Sequence, residues 1–301
     1  MKNRGFMITL KTSHKMALAR VASSCILFTR KLGGLSNYPI VKRGGIWWSL
    51  DLSEGIDFSI YLLGGFEPNT LKLYSNILKP GDTVLDIGAN IGSHTLPIAR
   101  IVGENGRVIA FEPTRYAIGK LSANIGLNKE LTDRISVNQI MLVSNEDETL
   151  ESEIYSSWPL FEPGKNVHHE HLGKLMNTDG AVAMTLDQAV KQLQIEKIDF
   201  IKIDVDGHEY SVLNGGKETL LSQRPPILME LAPYLFDPEY RQFEKIVELF
   251  SKLEYSLLDA DTGKSLLLDA DHLRAIIPAG GSRNVLLNPN QNVKKPNLYC
   301  D

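Results

Sequence analysis

Two clusters in this chain combine residue types and spacings that can do chemistry. Asp86-Ile-Gly-Ala-Asn-Ile-Gly92 sets an acid ahead of a turn with two glycines, and Glu112 follows in Ala110-Phe-Glu-Pro113. Glycine tolerates positive φ and lets a ligand approach the backbone without a Cβ in the way. Further on, Asp204, Asp206, His208 and Glu209 crowd into six residues, and Glu230 comes 21 residues later. Carboxylates and an imidazole together can bind a hydroxyl, accept its proton or hold a hard divalent cation.

Such groups act only if the fold brings them together, and the hydrophobic pattern predicts that it does. Thr83–Ile87 is a short apolar run after the turn Lys79-Pro-Gly-Asp82, and residues 93–102 then carry helical spacing. The alternation repeats: strands at 106–111 and 135–143, a helix at 116–127, then helix 186–193, strand 198–203, helix 210–221 and strand 226–231. A helix at 238–253 and a strand pair at 255–259 and 284–288 close the pattern. Buried strands alternating with helices make an α/β, doubly wound, mostly parallel sheet. In that architecture ligands bind beyond the carboxyl ends of the strands, where both clusters fall.

The first turn discriminates between cofactors. A dinucleotide fingerprint requires Gly-x-Gly-x-x-Gly, but counting from Gly88 this chain has Asn90 and Ser93 where the second and third glycines belong. An acid after the second strand, here Glu112, accepts ribose hydroxyls in several cofactor classes and alone decides nothing. Joined to an acid inside the first strand and a turn without a diphosphate cradle, it fits a cationic ligand with an aminoacyl end. S-adenosylmethionine is therefore the expected cofactor, on Asp86, Gly88, Asn90, Gly92, Ser93 and Glu112.

At this point the chain resembles the FkbM family of methyltransferases. The resemblance is carried, within residues 45–232, by Gly65-Phe-Glu-Pro68, Gly81 to Gly92, Val108-Ile-Ala-Phe-Glu-Pro113, Asn124 with Asn128, Thr185-Leu-Asp187, Ile201-Lys-Ile-Asp-Val-Asp-Gly-His-Glu209, Gly215-Gly216 and Pro226-Ile-Leu-Met-Glu230. It implies a class I, Rossmann-like methyltransferase fold with a seven-stranded sheet whose last strand is antiparallel. It also implies activity on a hydroxyl of a sugar, polyketide or related metabolite. One departure is Asp206, where the family more often has Glu.

Within the acidic cluster, Asp204 is the first candidate to bind the acceptor hydroxyl or take its proton. His208 is an alternative base, since imidazole titrates near neutrality. Glu209 is grouped with them as catalytic but is better suited, like Glu230, to orienting. Asp206 and Glu230 are assigned to acceptor binding. A carboxylate here can equally cap the helix that follows. No metal is assigned, because protonation or Lys202 can relieve the crowding of like charges. His168-His-Glu-His171 does not reproduce the His-Glu-x-x-His zinc spacing and reads as a solvated loop. Trp47, Trp48 and Trp158 either line an acceptor pocket or pack in the core.

Composition sets the boundaries. The 301 residues are 43% hydrophobic and 23% charged, which suits a globular domain with a sizeable core. Cys25 and Cys300, at opposite ends, suggest neither a disulfide framework nor a thiol metal site, so a cytoplasmic location is expected. The net charge of −4 hides an asymmetry: residues 1–50 carry nine Lys/Arg and no acid, leaving −13 on the other 251. Residues 1–40 thus form a basic arm, read as a surface extension with a short helix, as a partner or membrane-surface contact, or as an organellar presequence. The methyltransferase domain spans 41–288, with a strand-and-helix prelude at 41–79 and an insertion at 144–184, and 289–301 is a tail. The expected partner is a small-molecule or glycan acceptor rather than nucleic acid. The competing readings are a fold that binds the cofactor without turnover and an NAD-dependent oxidoreductase.

Overall fold

The structure is a computed structural model that describes residues 12–161, 173–236 and 238–290. Its centre is an eight-stranded sheet in the order Ser265–Leu266, Tyr255–Asp259, Arg283–Pro289, Ile227–Leu231, Phe200–Ile203, Thr83–Ile87, Arg107–Phe111 and Ile135–Asn138. The five strands from Ile227–Leu231 to Ile135–Asn138 run parallel, and Arg283–Pro289 is antiparallel to both of its neighbours. The expected count of seven is exceeded by the two-residue edge strand Ser265–Leu266. The chain reverses its direction of travel across the sheet between Thr83–Ile87 and Phe200–Ile203. A crevice therefore opens at the carboxyl ends of these two strands.

Side chains alternate faces along a strand, so parity assigns each residue to a side. Leu85, Ile87, Ile201, Ile203, Ile227 and Met229 face one core, with Val212, Phe243 and Phe250 from the covering helices. Val84, Val108, Ala110, Phe200 and Leu228 face the other, under Leu96, Ile98, Trp48 and Tyr74. Asp86 pairs in register with Lys202 on this second side.

Several elements differ from the sequence pattern, each for a local reason. The apolar run 135–143 is two strands: Ile135–Asn138 stays in the large sheet, while Ile140–Leu142 pairs with Val182–Met184. The helical run 210–221 breaks into Glu209–Asn214 and Lys217–Gln223 at Gly215-Gly216, where a Cβ on Gly215 would lie 2.1 Å from the carbonyl oxygen of Val143. The helix after the cofactor turn begins at Thr95, and the later long helix spans Gln242–Lys252. Asp187 accepts from the backbone of Glu218 and Thr219, capping the second half of the broken helix. Asn124 and Asn128 accept from the backbone nitrogens of Ser49 and Trp47, tying the prelude strand Ile46–Ser49 to the main domain.

The insertion is not structureless. Glu153–Ser157 pairs antiparallel with Lys174–Asn177, and the chain beyond is stitched to the prelude by Gly55 N donating to Trp158 O and Leu160 N to Ser53 O. In the basic arm a 21-residue helix, Thr12–Leu32, packs on the helix Gly55–Leu63, and the buried Ser23 hydroxyl donates to Leu52 O. The His168–His171 stretch and nearly all of the tail lie outside the described residues. Among those residues no helix is long and apolar enough to cross a membrane.

Gly215→Ala should cost about 2 kcal/mol or more in chemical denaturation, since the carbonyl of Val143 must move to admit the methyl group. Gly126→Ala, where a Cβ meets nothing within 4 Å, should be neutral or slightly stabilising. Equal effects of the two substitutions would contradict the close approach.

Candidate active site

A cavity of about 870 Å³ occupies the crevice. Its floor is built from the carboxyl ends of the strands: Gly88 and Asn90 after the first, Glu112 after the second, Asp204 and Asp206 after Phe200–Ile203, and Glu230 from Ile227–Leu231. Its rim comes from elsewhere in the chain, with Glu67 from the prelude, Ser156 and Trp158 from the insertion, and Leu18 and Ala22 from the N-terminal helix.

The cofactor turn is shaped by backbone geometry. Gly88, Asn90 and Gly92 all have positive φ, at 78°, 48° and 90°. A Cβ on Gly88 would lie 1.8 Å from the carbonyl oxygen of Asp204, so this glycine lets the two functional loops touch. Asn90 stabilises its own left-handed conformation by accepting from Ile91 N at 2.8 Å, and its amide donates to Ser156 O at 3.0 Å. Gly92 lies behind the cavity wall, where Leu96 and Leu121 fill the space a Cβ would take. Ser93 is on the wall.

Glu112 accepts from Thr114 N at 3.0 Å and Thr114 Oγ1 at 2.6 Å on one oxygen, and from Asn90 N at 3.0 Å on the other. Burial pushes its carboxyl up, and these bonds pull it back. A carboxylate has acceptor capacity for about four bonds, so Oε2 retains capacity towards the cavity.

Asp86 is placed differently from the sequence expectation of a carboxylate facing a cationic ligand. It is fully buried behind the wall, where Thr95 Oγ1 donates to Oδ2 at 2.6 Å and Lys202 Nζ stands 3.4 Å from Oδ1. The same ammonium donates to Gly88 O at 2.8 Å and lies 3.6 Å from Asp204 Oδ2. Burial pulls the lysine's affinity for its proton down, but Asp86 and Asp204 outweigh it and the net shift is upward.

Around Asp204 the site is crowded with negative charge. One oxygen each of Asp204, Asp206 and Glu230 lies within 4.8 Å of the others, a spacing that could hold a hard divalent ion. The repulsion is also relieved by proton uptake. Burial and then Asp204 push Glu230 up to about 8, and burial, Asp204 and Glu230 raise Asp206 well above the usual range.

His208 lines the cavity, with Nδ1 3.8 Å from Glu151 Oε1. Glu209 does not line it. The Glu209 carboxylate accepts from Gly207 N at 3.1 Å and Val205 N at 3.4 Å, so it holds the loop carrying Asp204 and Asp206 and positions rather than contacts. Burial raises it to about 7. Of the three tryptophans, Trp158 lines the cavity, Trp48 is buried in the core and Trp47 is largely exposed.

The structure adds a pair that the sequence reading did not single out. Glu67 accepts from Thr70 Oγ1 at 3.1 Å and Asn284 Nδ2 at 2.8 Å, and burial with Asp204 pushes it to about 7. Its Oε2 stands 3.8 Å from Nε2 of the buried His94, whose Nδ1 is 3.2 Å from the Tyr74 hydroxyl. Burial holds His94 well below its ordinary value, so the ring is neutral. The available signal was Glu67 in Gly65-Phe-Glu-Pro68, a motif that carries the resemblance but to which no role was attached.

The sequence profile described as the methyltransferase FkbM domain matches residues 86–257, more than half of the chain. The chain belongs to the FkbM methyltransferase family. S-adenosylmethionine is accordingly its cofactor, and the cavity floor with the open side of Glu112 fits that ligand.

Among relatives, the hexuronic acid methyltransferase AglP of Haloferax volcanii is 25% identical over 159 residues, covering 52% of this chain and 59% of AglP. The 2-O-methyltransferase NoeI of Sinorhizobium fredii is 27% identical over 170 residues, covering 52% and 68%. The antimetabolite synthetase AmbE of Pseudomonas aeruginosa is 27% identical over 189 residues, of which this chain spans 8%. A solved FkbM methyltransferase from Methylobacillus flagellatus aligns with 71% of this chain and 47% of its own, at 15% identity and a TM-score of 0.42.

Two outcomes test the electrostatics. Lys202→Met strands the Asp86 charge in the core and should cost about 3–5 kcal/mol in denaturant unfolding, the scale of breaking a buried pair. Glu230, with its carboxyl raised to about 8, stabilises the fold when protonated, and this contribution is lost as pH rises from the ordinary carboxylate range through that value. The melting temperature of the ligand-free protein should therefore fall between about pH 5.5 and pH 8.5, and fall less in Glu230→Gln, which mimics the protonated form. Parallel curves for the two proteins would contradict the raised carboxyl.

Proposed function

We propose that this FkbM methyltransferase acts on a hydroxyl oxygen of a sugar, glycan or secondary metabolite. The observation that carries the reading is Asp204, a half-buried carboxylate on the cavity floor whose position is fixed by Lys202 and whose neighbours are further hydrogen-bond acceptors. Hydroxyl groups are donors, and a floor of carboxylates suits a ligand that presents several of them. The relatives named as a hexuronic acid methyltransferase and a 2-O-methyltransferase support the same class.

When bound, S-adenosylmethionine supplies an electrophilic methyl group. The chain's own contribution is to orient and to move a proton. Asp204 accepts the hydroxyl proton as the oxygen becomes the nucleophile, a role that carries about 10²–10⁴ in rate when well placed. Asp206 and Glu230, protonated or not, hold neighbouring acceptor hydroxyls, and Glu209 fixes the loop through Gly207 N. His208, on the same wall, is the alternative base. Trp158 and Phe66 give the upper cavity an apolar surface that excludes water from the reacting atoms.

Transfer of a labelled methyl group into sugar and glycan extracts, read by mass spectrometry, should label a hydroxyl oxygen. Label on nitrogen or carbon would overturn the oxygen assignment, and cofactor binding with no transfer would favour a binding role. Asp204→Asn should keep affinity for S-adenosylmethionine in calorimetric titration and lower turnover at least tenfold. Unchanged turnover would remove Asp204 as the proton acceptor.

A further inference from the structure

The N-terminal helix Thr12–Leu32 has two dissimilar faces. Ala19, Ala22 and Ile26 pack towards Phe58 and Leu160, and Ser23 is buried. Away from this contact, Leu18, Val21, Phe28 and Leu32 are 64, 67, 62 and 74% exposed, with the exposed Cys25 between them. Their spacing of three, four, three and four residues draws one continuous stripe along the helix. Water-facing apolar residues are ordinary when scattered, but a stripe that runs about four turns from Leu18 to Leu32 is not.

The stripe runs into the cavity mouth. Leu18 lines the cavity, as do Leu62 and Leu63 on the neighbouring helix, which are 51 and 60% exposed. Leu35, 57% exposed and beside Phe28, extends the apolar surface at the other end.

Charge identifies what covers this face. The helix carries Lys15, Arg20, Arg30 and Lys31 and no acid, in a 50-residue segment with nine cations and none of the chain's acids. A second copy docked on this face would bring two like-charged helices together, whereas an anionic surface attracts both the stripe and its flanks. The remainder of the chain, at −13, is repelled from such a surface and fixes the orientation. A helix of this length, amphipathic and too polar to span, lies in the interface with its apolar side sunk into the headgroup region.

We propose that the Thr12–Leu32 helix docks this protein on an anionic lipid surface, with the mouth of the cavity turned towards the bilayer. Binding draws on two contributions, burial of Val21, Phe28 and Leu32 and attraction of the basic segment to anionic headgroups. The site then receives its acceptor from the membrane side.

The test is co-sedimentation of the full chain with vesicles of phosphatidylcholine alone and of phosphatidylcholine with about 30% phosphatidylglycerol, at about 50 and 500 mM salt. Binding should be at least tenfold tighter to the anionic vesicles and should weaken at the higher salt. The triple variant Val21→Ser, Phe28→Ser, Leu32→Ser should lose at least tenfold with an unchanged melting temperature, since these side chains are exposed in the free protein. Leu62→Ser with Leu63→Ser, at the cavity mouth, should also weaken binding severalfold. Absent or charge-independent vesicle binding would overturn the proposal. So would a dimer of the wild type, seen by light scattering and abolished by the triple variant, in a protein indifferent to lipid. Unchanged binding in the Leu62/Leu63 variant would overturn the orientation.

Discussion

Lys202 carries its charge in the middle of the sheet, only 4% exposed, where an isolated ammonium could not remain charged. Three oxygens hold it there: the Asp86 carboxylate across the strand pair, the Gly88 carbonyl at the start of the cofactor turn, and the Asp204 carboxylate two residues on. The parallel register sets Lys202 opposite Asp86, and the two-residue period puts Asp204 on the same side of its own strand. One ammonium therefore fixes the cofactor turn against Asp204, the carboxylate proposed to meet the acceptor. Methyl transfer depends on alignment within fractions of an ångström, and this contact ties the two halves of the alignment to a single point.

The same interaction explains why Asp86 lies behind the cavity wall. Read along the sequence, an acid at the end of a first strand before a glycine turn faces a ligand, because nothing nearby opposes it. Its partner is Lys202, supplied by a strand more than a hundred residues later. Pairings at that separation leave no local pattern. The strands and their carboxyl ends, by contrast, were legible: the apolar runs at 84–87, 108–111, 200–203 and 227–231 are enough to put Asp86, Asp204 and Glu230 at one edge. Boundaries were less so, since helical periodicity runs through Gly215-Gly216, where the helix breaks and the carbonyl of Val143 approaches too closely for a side chain. Glu67 and His94 escaped for the same reason as the Asp86 partner, because Asn284 and Asp204, which shape Glu67, come more than a hundred residues later.

The acidic floor has an electrostatic cost that a single buried lysine does not cover. Glu67, Glu209 and Glu230 sit at about 7 to 8, and Asp206 is also raised, so the free site holds protons that ordinary carboxyls would have released. Protonated carboxyls donate as well as accept, which lets the same groups match hydroxyls in either orientation. A change in charge at one of them, through an acceptor or a cation, alters the proton affinity of the others, because, beyond burial, Glu230 is pushed up by Asp204, Glu67 and Glu209, and Asp206 by Asp204, Glu230 and Glu209.

Floor and rim are built by different physics and from different parts of the chain. The floor is dictated by sheet topology and lies within residues 86–257, the segment matched by the FkbM domain. Much of the rim lies before it, with Leu18 and Ala22 on the N-terminal helix, Leu63, Phe66 and Glu67 in the prelude, joined by the insertion through Ser156 and Trp158. The rim is tied to the floor and sheet by a few side-chain bonds, Asn284 to Glu67 and Asn90 to Ser156 O among them, and does not itself bond the central ammonium. A family can thus keep one methyl donor site and vary what approaches it. In this chain the entrance is apolar, with Leu18, Leu62 and Leu63 above an acidic floor, so the proposed hydroxyl acceptor would reach the floor past an apolar rim.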